Sequence, residues 1–206
     1  MANLYEKHIL PRLVAYACGH SSLAPLRARA CTGLGGRVLE LGFGSGTNVP
    51  HYPPAVTELV AVEPSDTAWK LSAPARASSA TRILRGSLDG QSLAEEDGTF
   101  DAALSTFTLC TIPDAGAALA EIHRVLKSGD TLHFLEHGLA PDEKVARFQH
   151  RVEPIQKALN GGCHLTRSVE GMLLAAGFEI TELDAFYLPG APRFEGAFSL
   201  GVATRS

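Results

Sequence analysis

The chain has little charge. Its 18 Lys and Arg and 22 Asp and Glu make up 19% of 206 residues, below the usual share of about 25%. The formal net charge of −4 argues against an electrostatically driven nucleic-acid binder, which needs a basic footprint. Cysteine is scarce and scattered. Cys18, Cys31, Cys110 and Cys163 form no CxxC pair, so the spacing gives neither a zinc motif nor a disulfide framework. A reduced, cytoplasmic protein without a metal is expected. Long hydrophobic runs are missing too. Near the start, the longest stretch free of Lys, Arg, Asp and Glu covers 13–26, and His20, Ser21, Ser22 and Pro25 interrupt it. A membrane span needs about 20 apolar residues, and no signal-peptide pattern is present. No linker, repeat or low-complexity tract divides the chain. One domain over 1–206 is expected, with 1–32 as an N-terminal helical lid.

What the chain has is 45% apolar residues and 20 glycines, a composition suited to a folded α/β domain with tight loops. Residues 1–32 read as helical, with Leu4, Ile9, Leu13, Val14 and Ala17 at helix-like spacing and Pro11 as a break. Strands are expected over 37–41, 57–63, 81–85, 100–106 and 130–136, and two more over 178–186 and 198–204. Helices are expected after the glycines at 42–46, over 66–77 and 115–126, over 141–159 with an interruption at Pro154, and over 166–176 with Thr166 as cap. Alternating strands and helices imply a parallel, doubly wound sheet. The last connection is too short for a helical crossover, so the final strands pair antiparallel.

Two features carry chemistry. Gly42, Gly44 and Gly46 lie between the first strand and the segment after it. Glycines there allow a sharp turn and a close approach by ligand, at the end of the sheet where open α/β folds bind. The spacing is not GxGxxG, because Thr47 stands where the third glycine would be, and no Gly-Lys-Ser/Thr follows. Glu63 ends the second strand about 20 residues later, where a carboxylate can accept hydrogen bonds from a ribose diol.

Glu40-Leu-Gly-Phe-Gly-Ser-Gly46 together with Glu63 resembles the class I S-adenosylmethionine (SAM)-dependent methyltransferases of the type 11 group. The resemblance covers roughly 35–137. Asn48, His51-Tyr-Pro-Pro54, Phe107-Thr-Leu-Cys110, Phe134-Leu-Glu-His137 and Gly162-Cys-His-Leu-Thr-Arg167 are similar to the methyltransferase-like 7 thiol methyltransferases and extend it almost to the C-terminus. That group carries an N-terminal membrane-anchoring helix, which 1–32 does not resemble.

The resemblance implies a Rossmann-like α/β fold: a seven-stranded, mostly parallel sheet with its last strand antiparallel and helices on both faces. It implies SAM as cofactor and a small-molecule methyl acceptor, with a thiol as candidate. Gly42, Gly44 and Gly46 would wrap the methionyl part and ribose, with Glu40 orienting the loop or reaching the cofactor's amino group through water. Glu63 would hold the ribose hydroxyls, with Pro64 beside the adenine. Ser87 and Leu88 would supply a backbone or apolar adenine contact, with Asp89 one residue away. Thr106 and Phe107 would lie under the sulfonium. His137 is the candidate catalytic base, and Glu136 fixes its turn. Cys110 reads as a small buried hydrophobe, Trp69 as helix packing, and His8 and Arg12 as a cover or a solvated face. A non-catalytic SAM-binding protein and a nicotinamide-dependent oxidoreductase are the competing functions, the second disfavoured by the glycine spacing.

Overall fold

The computed structural model of the protein describes residues 5–159 and 161–206, so Leu4 lies outside the described residues. One sheet organises the chain. Its strands are β1 (Gly36–Leu41), β2 (Val56–Val62), β3 (Arg82–Arg85), β4 (Phe100–Thr106), β5 (Leu126–His137), β6 (Phe178–Tyr187) and β7 (Ala197–Arg205). They lie in the order β3-β2-β1-β4-β5-β7-β6. β1 to β5 are parallel, and β7 runs antiparallel to both its neighbours. This is the expected sheet, with β7 the one reversed strand. The chain runs outward from β1 to β3 and then returns to β4 on the other side of β1. That places the topological switch point, where open α/β sheets bind ligands, at the carboxyl end of β1.

Side chains alternate between the two faces, and each face has its own apolar core. On one, Leu39, Leu41, Val60, Val62, Phe100 and Phe134 pack under α5 (Ala115–Val125) and α7 (Val169–Ala175). α5 buries Ala118, Leu119, Ile122 and Val125, the period-3.6 stripe read from the sequence. On the other, Val38, Leu59, Ala61, Ala102, Leu104 and Leu135 pack with Ala30 and Cys31 of α2 (Ala24–Cys31). Alternation from these strands points Glu40, Glu63, Thr106 and His137 toward the α2 side.

Several local expectations change. The glycine loop runs into a single 3₁₀ turn, Val49–His51, because Pro50, Pro53 and Pro54 leave too few amides for a helix. The helix expected over 66–77 is two, α3 (Asp66–Leu71) and α4 (Ala73–Ser78), since Pro74 cannot donate back across Ser72. Ser168, not Thr166, caps α7 by accepting from the Gly171 amide. α6 (Glu143–Leu159) carries Pro154 inside it. The N-terminal segment is a five-residue π-helical turn, Tyr5–Ile9, then α1 (Leu10–Cys18). α1 has no buried residue: Leu13, Val14 and Tyr16 face outward, as does Ile9 just before it. Periodicity foretold the helix there but not its burial. Among the described residues no helix is long and apolar enough to cross a membrane.

Candidate functional site

The carboxyl ends of β1 and β2 form the first half of the site. Gly42, Gly44 and Gly46 all have positive φ, at 72°, 59° and 78°, a region L side chains avoid. Two of them answer different demands. A Cβ at Gly42 would run into the Thr108 hydroxyl, so this glycine serves packing. A Cβ at Gly44 would meet only the Gly42 carbonyl, at 3.8 Å, so this glycine borders open space. Glu63 closes the loop: its carboxylate accepts from the Gly44 amide and the Ser65 amide, each at 2.7 Å. Burial raises the Glu63 pKa, and the two amides and Arg85 offset part of that rise. A carboxylate has about four acceptor positions, so two remain for a diol.

Glu40 lies behind the loop and is fully buried. Its carboxylate accepts from Asn48 at 3.0 Å and from the Tyr52 hydroxyl. Burial pushes its pKa up to about 7 against those hydrogen bonds. Asn48 also donates to Thr106 Oγ1 at 2.9 Å. The network includes a residue that the sequence reading missed. Arg27, on α2, is 3% exposed and donates to Asn48 Oδ1 (2.8 Å), Thr106 Oγ1 (3.0 Å) and the Cys18 carbonyl (2.8 Å). Its guanidinium also lies 5.0 Å from the Phe107 ring centre. The Thr106 hydroxyl, expected under the sulfonium, is therefore held by Asn48 and Arg27. Phe107, next in the chain, has φ 55°. A non-glycine residue in that region stores strain, and such strain clusters at functional sites.

The adenine side is less organised. Pro64 follows Glu63, and Ser65 caps α3 by accepting from Ala68 at 3.2 Å. Ser87, beyond edge strand β3, donates to Glu95 Oε2 at 2.7 Å. Leu88 is 54% exposed. Asp89 is exposed and bonds Gln91. Trp69 packs on Phe43, with the Arg76 guanidinium 3.9 Å from its ring centre, as a packing residue does. His8 and Arg12 are exposed, and Arg12 donates to the His8 carbonyl.

The second half lies at the ends of β4 and β5. Glu136 is fully buried and accepts from Ser105 Oγ (2.7 Å) and from the Thr108 and Leu109 amides (3.0 and 3.1 Å). It fixes the loop after β4, where the sequence reading expects it to fix the turn at His137. That loop carries Cys110, which is buried. His137 ends β5, also buried, with Nδ1 3.6 Å from Cys163 Sγ. Its Nε2 is buried with no partner among the described residues. Cys163 comes from the loop before α7. Hydrogen bonding from Cys110, then His137, pulls the Cys163 thiol well below its ordinary pKa, and the same bond and burial push Cys110 up. His164 is turned away, its Nδ1 3.2 Å from Glu153. Spacing gave no hint of this gathering, because the three residues arrive from two separate loops and the end of β5.

Comparison with known proteins agrees with this geometry. Residues 39–134 match the family model described as "Methyltransferase domain". The human thiol S-methyltransferase TMT1B is 30% identical over 181 residues, covering 82% of this chain and 73% of that protein. The rat TMT1B is 31% identical over 151 residues, covering 71% of this chain. The chain spans 62% of that rat protein's length. Among solved structures, a SAM-dependent methyltransferase of Thermotoga maritima superposes with a TM-score of 0.65 at 23% identity, covering 95% and 94% of the two chains. The doubly wound sheet and its glycine loop are those of a class I, Rossmann-like methyltransferase. The chain belongs to the SAM-dependent methyltransferase family, alongside the thiol S-methyltransferases.

Proposed function

We propose that the chain binds SAM and transfers its methyl group to the thiol of a small, partly apolar acceptor. The observation that carries the reading is the closure of the glycine loop on Glu63. The Gly44 amide and the carboxylate meet at 2.7 Å, so a ribose-binding acid and a ligand-accommodating turn form one unit. The residues fit the cofactor: the open space at Gly44 admits it, and Glu63 keeps acceptor capacity for its ribose. The ~30% identity to thiol S-methyltransferases supports the acceptor class.

When bound, SAM supplies a methyl group activated on a sulfonium. The protein's own work is then to bind, orient and exclude water. Gly42 to Gly46 and Glu63 hold the cofactor, with Glu40, Asn48 and Arg27 keeping the loop behind it in place. Ser87 and Leu88 lie at the adenine end. Positioning two reactants in a site that excludes water supplies much of such a rate. An anionic nucleophile would neutralise the sulfonium's charge, so apolar surroundings would favour transfer, and Phe107, packed edge-on against Phe198 with ring centres 5.3 Å apart, supplies them. A free thiol is already a few per cent thiolate near neutral pH. His137, buried beside Cys163 with Nε2 unpartnered, is the residue we assign to the acceptor's thiol.

Calorimetric titration is the test. SAM gives a binding isotherm and NADH none; heat with NADH alone would replace the reading by an oxidoreductase. Glu63→Ala lowers SAM affinity at least about 30-fold, for two charged hydrogen-bond positions lost. A methyl-transfer assay across thiols, phenols and amines shows turnover with thiols; turnover with phenols or amines alone removes the acceptor class.

A further inference from the structure

Two loops and the end of β5, far apart in sequence, bring two thiols and an imidazole to one spot. The ligand atoms of Cys110, His137 and Cys163 lie within 4.8 Å of one another. In a tetrahedral zinc site, bonds of about 2.3 Å to sulfur and about 2.0 Å to nitrogen set those ligands about 3.5 Å apart. The Cys163 Sγ to His137 Nδ1 separation is 3.6 Å, so this edge is already at ligating distance.

The backbone around the cluster is held from several directions. Glu136 grips the Thr108 and Leu109 amides just before Cys110. The His164 amide donates to the Cys110 carbonyl at 2.7 Å, tying the Cys163 loop to the Cys110 loop. Arg167 donates to the Leu109, Ile112 and Pro113 carbonyls, at 2.5, 2.6 and 2.9 Å. The Leu139 amide, two residues past His137, donates to the Arg167 carbonyl at 2.9 Å. Ligand sites need such support to hold their geometry. Among the described residues no fourth Cys, His, Asp or Glu joins the three, and His164 is engaged by Glu153. The cluster also borders the glycine loop: Thr108, two residues before Cys110, packs on Gly42 and donates to the Leu41 carbonyl at 3.2 Å.

We propose that Cys110, His137 and Cys163 form a three-ligand site for zinc, with an open fourth position that takes the acceptor's sulfur as a thiolate. Two thiolates and an imidazole select a thiophilic ion over magnesium or calcium, which take oxygen ligands. Three protein ligands with one open position is the arrangement of a catalytic zinc. On coordination the acceptor's S–H bond breaks, a sulfur–zinc bond forms and the proton goes to water, because a coordinating thiol is deprotonated outright. The sulfur then bonds the methyl carbon as the carbon–sulfonium bond breaks, and that electron pair stays on the departing thioether sulfur. His137 acts as a ligand in this scheme. The acceptor half rests on the thiol reading above; the zinc site itself does not.

Cobalt(II), titrated anaerobically into the reduced full chain, reads the site without any turnover. One equivalent gives thiolate-to-cobalt charge transfer and the strong visible bands of a four-coordinate ion, and zinc displaces it. Cys163→Ser and Cys110→Ser lose the charge transfer, with affinity down at least a hundredfold. Cys163 is partly exposed, so its Ser variant keeps the melting temperature of the metal-free wild type; Cys163→Ala is the second variant should it not. Ethanethiol added to the cobalt form strengthens the charge transfer. No charge transfer in the wild type, or an unchanged spectrum in the Cys163 variants, overturns the site. An unchanged spectrum on adding ethanethiol overturns the acceptor's place in it. SAM calorimetry on the same sample separates the readings: lost SAM binding with an intact cobalt spectrum sinks the methyltransferase reading alone.

Discussion

The two halves of the site are built differently. The half at β1 and β2 is almost continuous in sequence: Glu40, Gly42, Gly44 and Glu63 lie within one strand–loop–strand stretch. The half at β4 and β5 draws Cys110 and Cys163 from two loops and His137 from the end of β5. A ligand that is wrapped by backbone needs glycines at fixed places, which is a local demand. A cluster of side chains needs only convergence, which a sheet supplies from anywhere along the chain. The first half is thus a motif, and the second is a consequence of topology.

The sharpest way to break the comparison lies within the glycine loop. Gly42→Ala places a Cβ against Thr108 in a left-handed conformation. It should cost about 3 kcal/mol, from strain of about 1–2 and overpacking of similar size, and lower the melting temperature by roughly 6–12 °C. Gly44→Ala meets open space, so the melting temperature should fall by only a few degrees while calorimetry shows SAM affinity reduced at least tenfold. Equal melting shifts for the two would erase the division between the packing glycine and the ligand-facing one.

Glu40 offers the next largest effect. Its carboxyl is pushed from 4.5 to about 7 by burial, so between those values the folded chain holds a proton that the unfolded chain has lost. Stability therefore falls as pH rises through that window, by about 3 kcal/mol. Chemical denaturation from pH 4.5 to 8 should show the decline, and Glu40→Gln should remove most of this residue's share. A variant with the wild-type slope would show that Glu40 ionises freely in the folded chain.

Arg27→Met tests whether the N-terminal segment belongs to the site. It removes three hydrogen bonds from a buried guanidinium and should cost about 2 kcal/mol, with a several-fold loss in SAM affinity through Asn48 and Thr106. A stability loss with unchanged affinity would confine α2 to packing. The smallest effect is expected two residues away. Arg29 pairs with Asp184 at 2.7 Å with both side chains about half exposed. Arg29→Ala should change stability by less than about 1 kcal/mol, leaving SAM binding untouched.

Much of the fold was legible because hydrophobic periodicity and glycine punctuation act locally. The stripe of α5 and the apolar runs of β1, β2 and β4 gave the elements, and alternation gave the parallel sheet. Expectations failed where a local signal competed with chain geometry. Pro50 and Pro74 shortened or split helices, and Ser168 displaced Thr166 as cap because the backbone reaches αR only after it. The apolar stripe of α1 was periodic and yet stayed exposed, since α2 covers the sheet in its place.

The sequence alone determined the alternation of strands and helices, the turn at Gly42 to Gly46 and the acid at Glu63. Each depends on neighbours within a few residues or on one strand's spacing to the next. Only the tertiary structure decided that Gly42 answers to Thr108, that Arg27 reaches Thr106, and that Cys110, His137 and Cys163 share one spot. Those facts depend on which strand ends lie side by side and on how the connecting loops are tied. Sheet order sets both, and no local pattern encodes them.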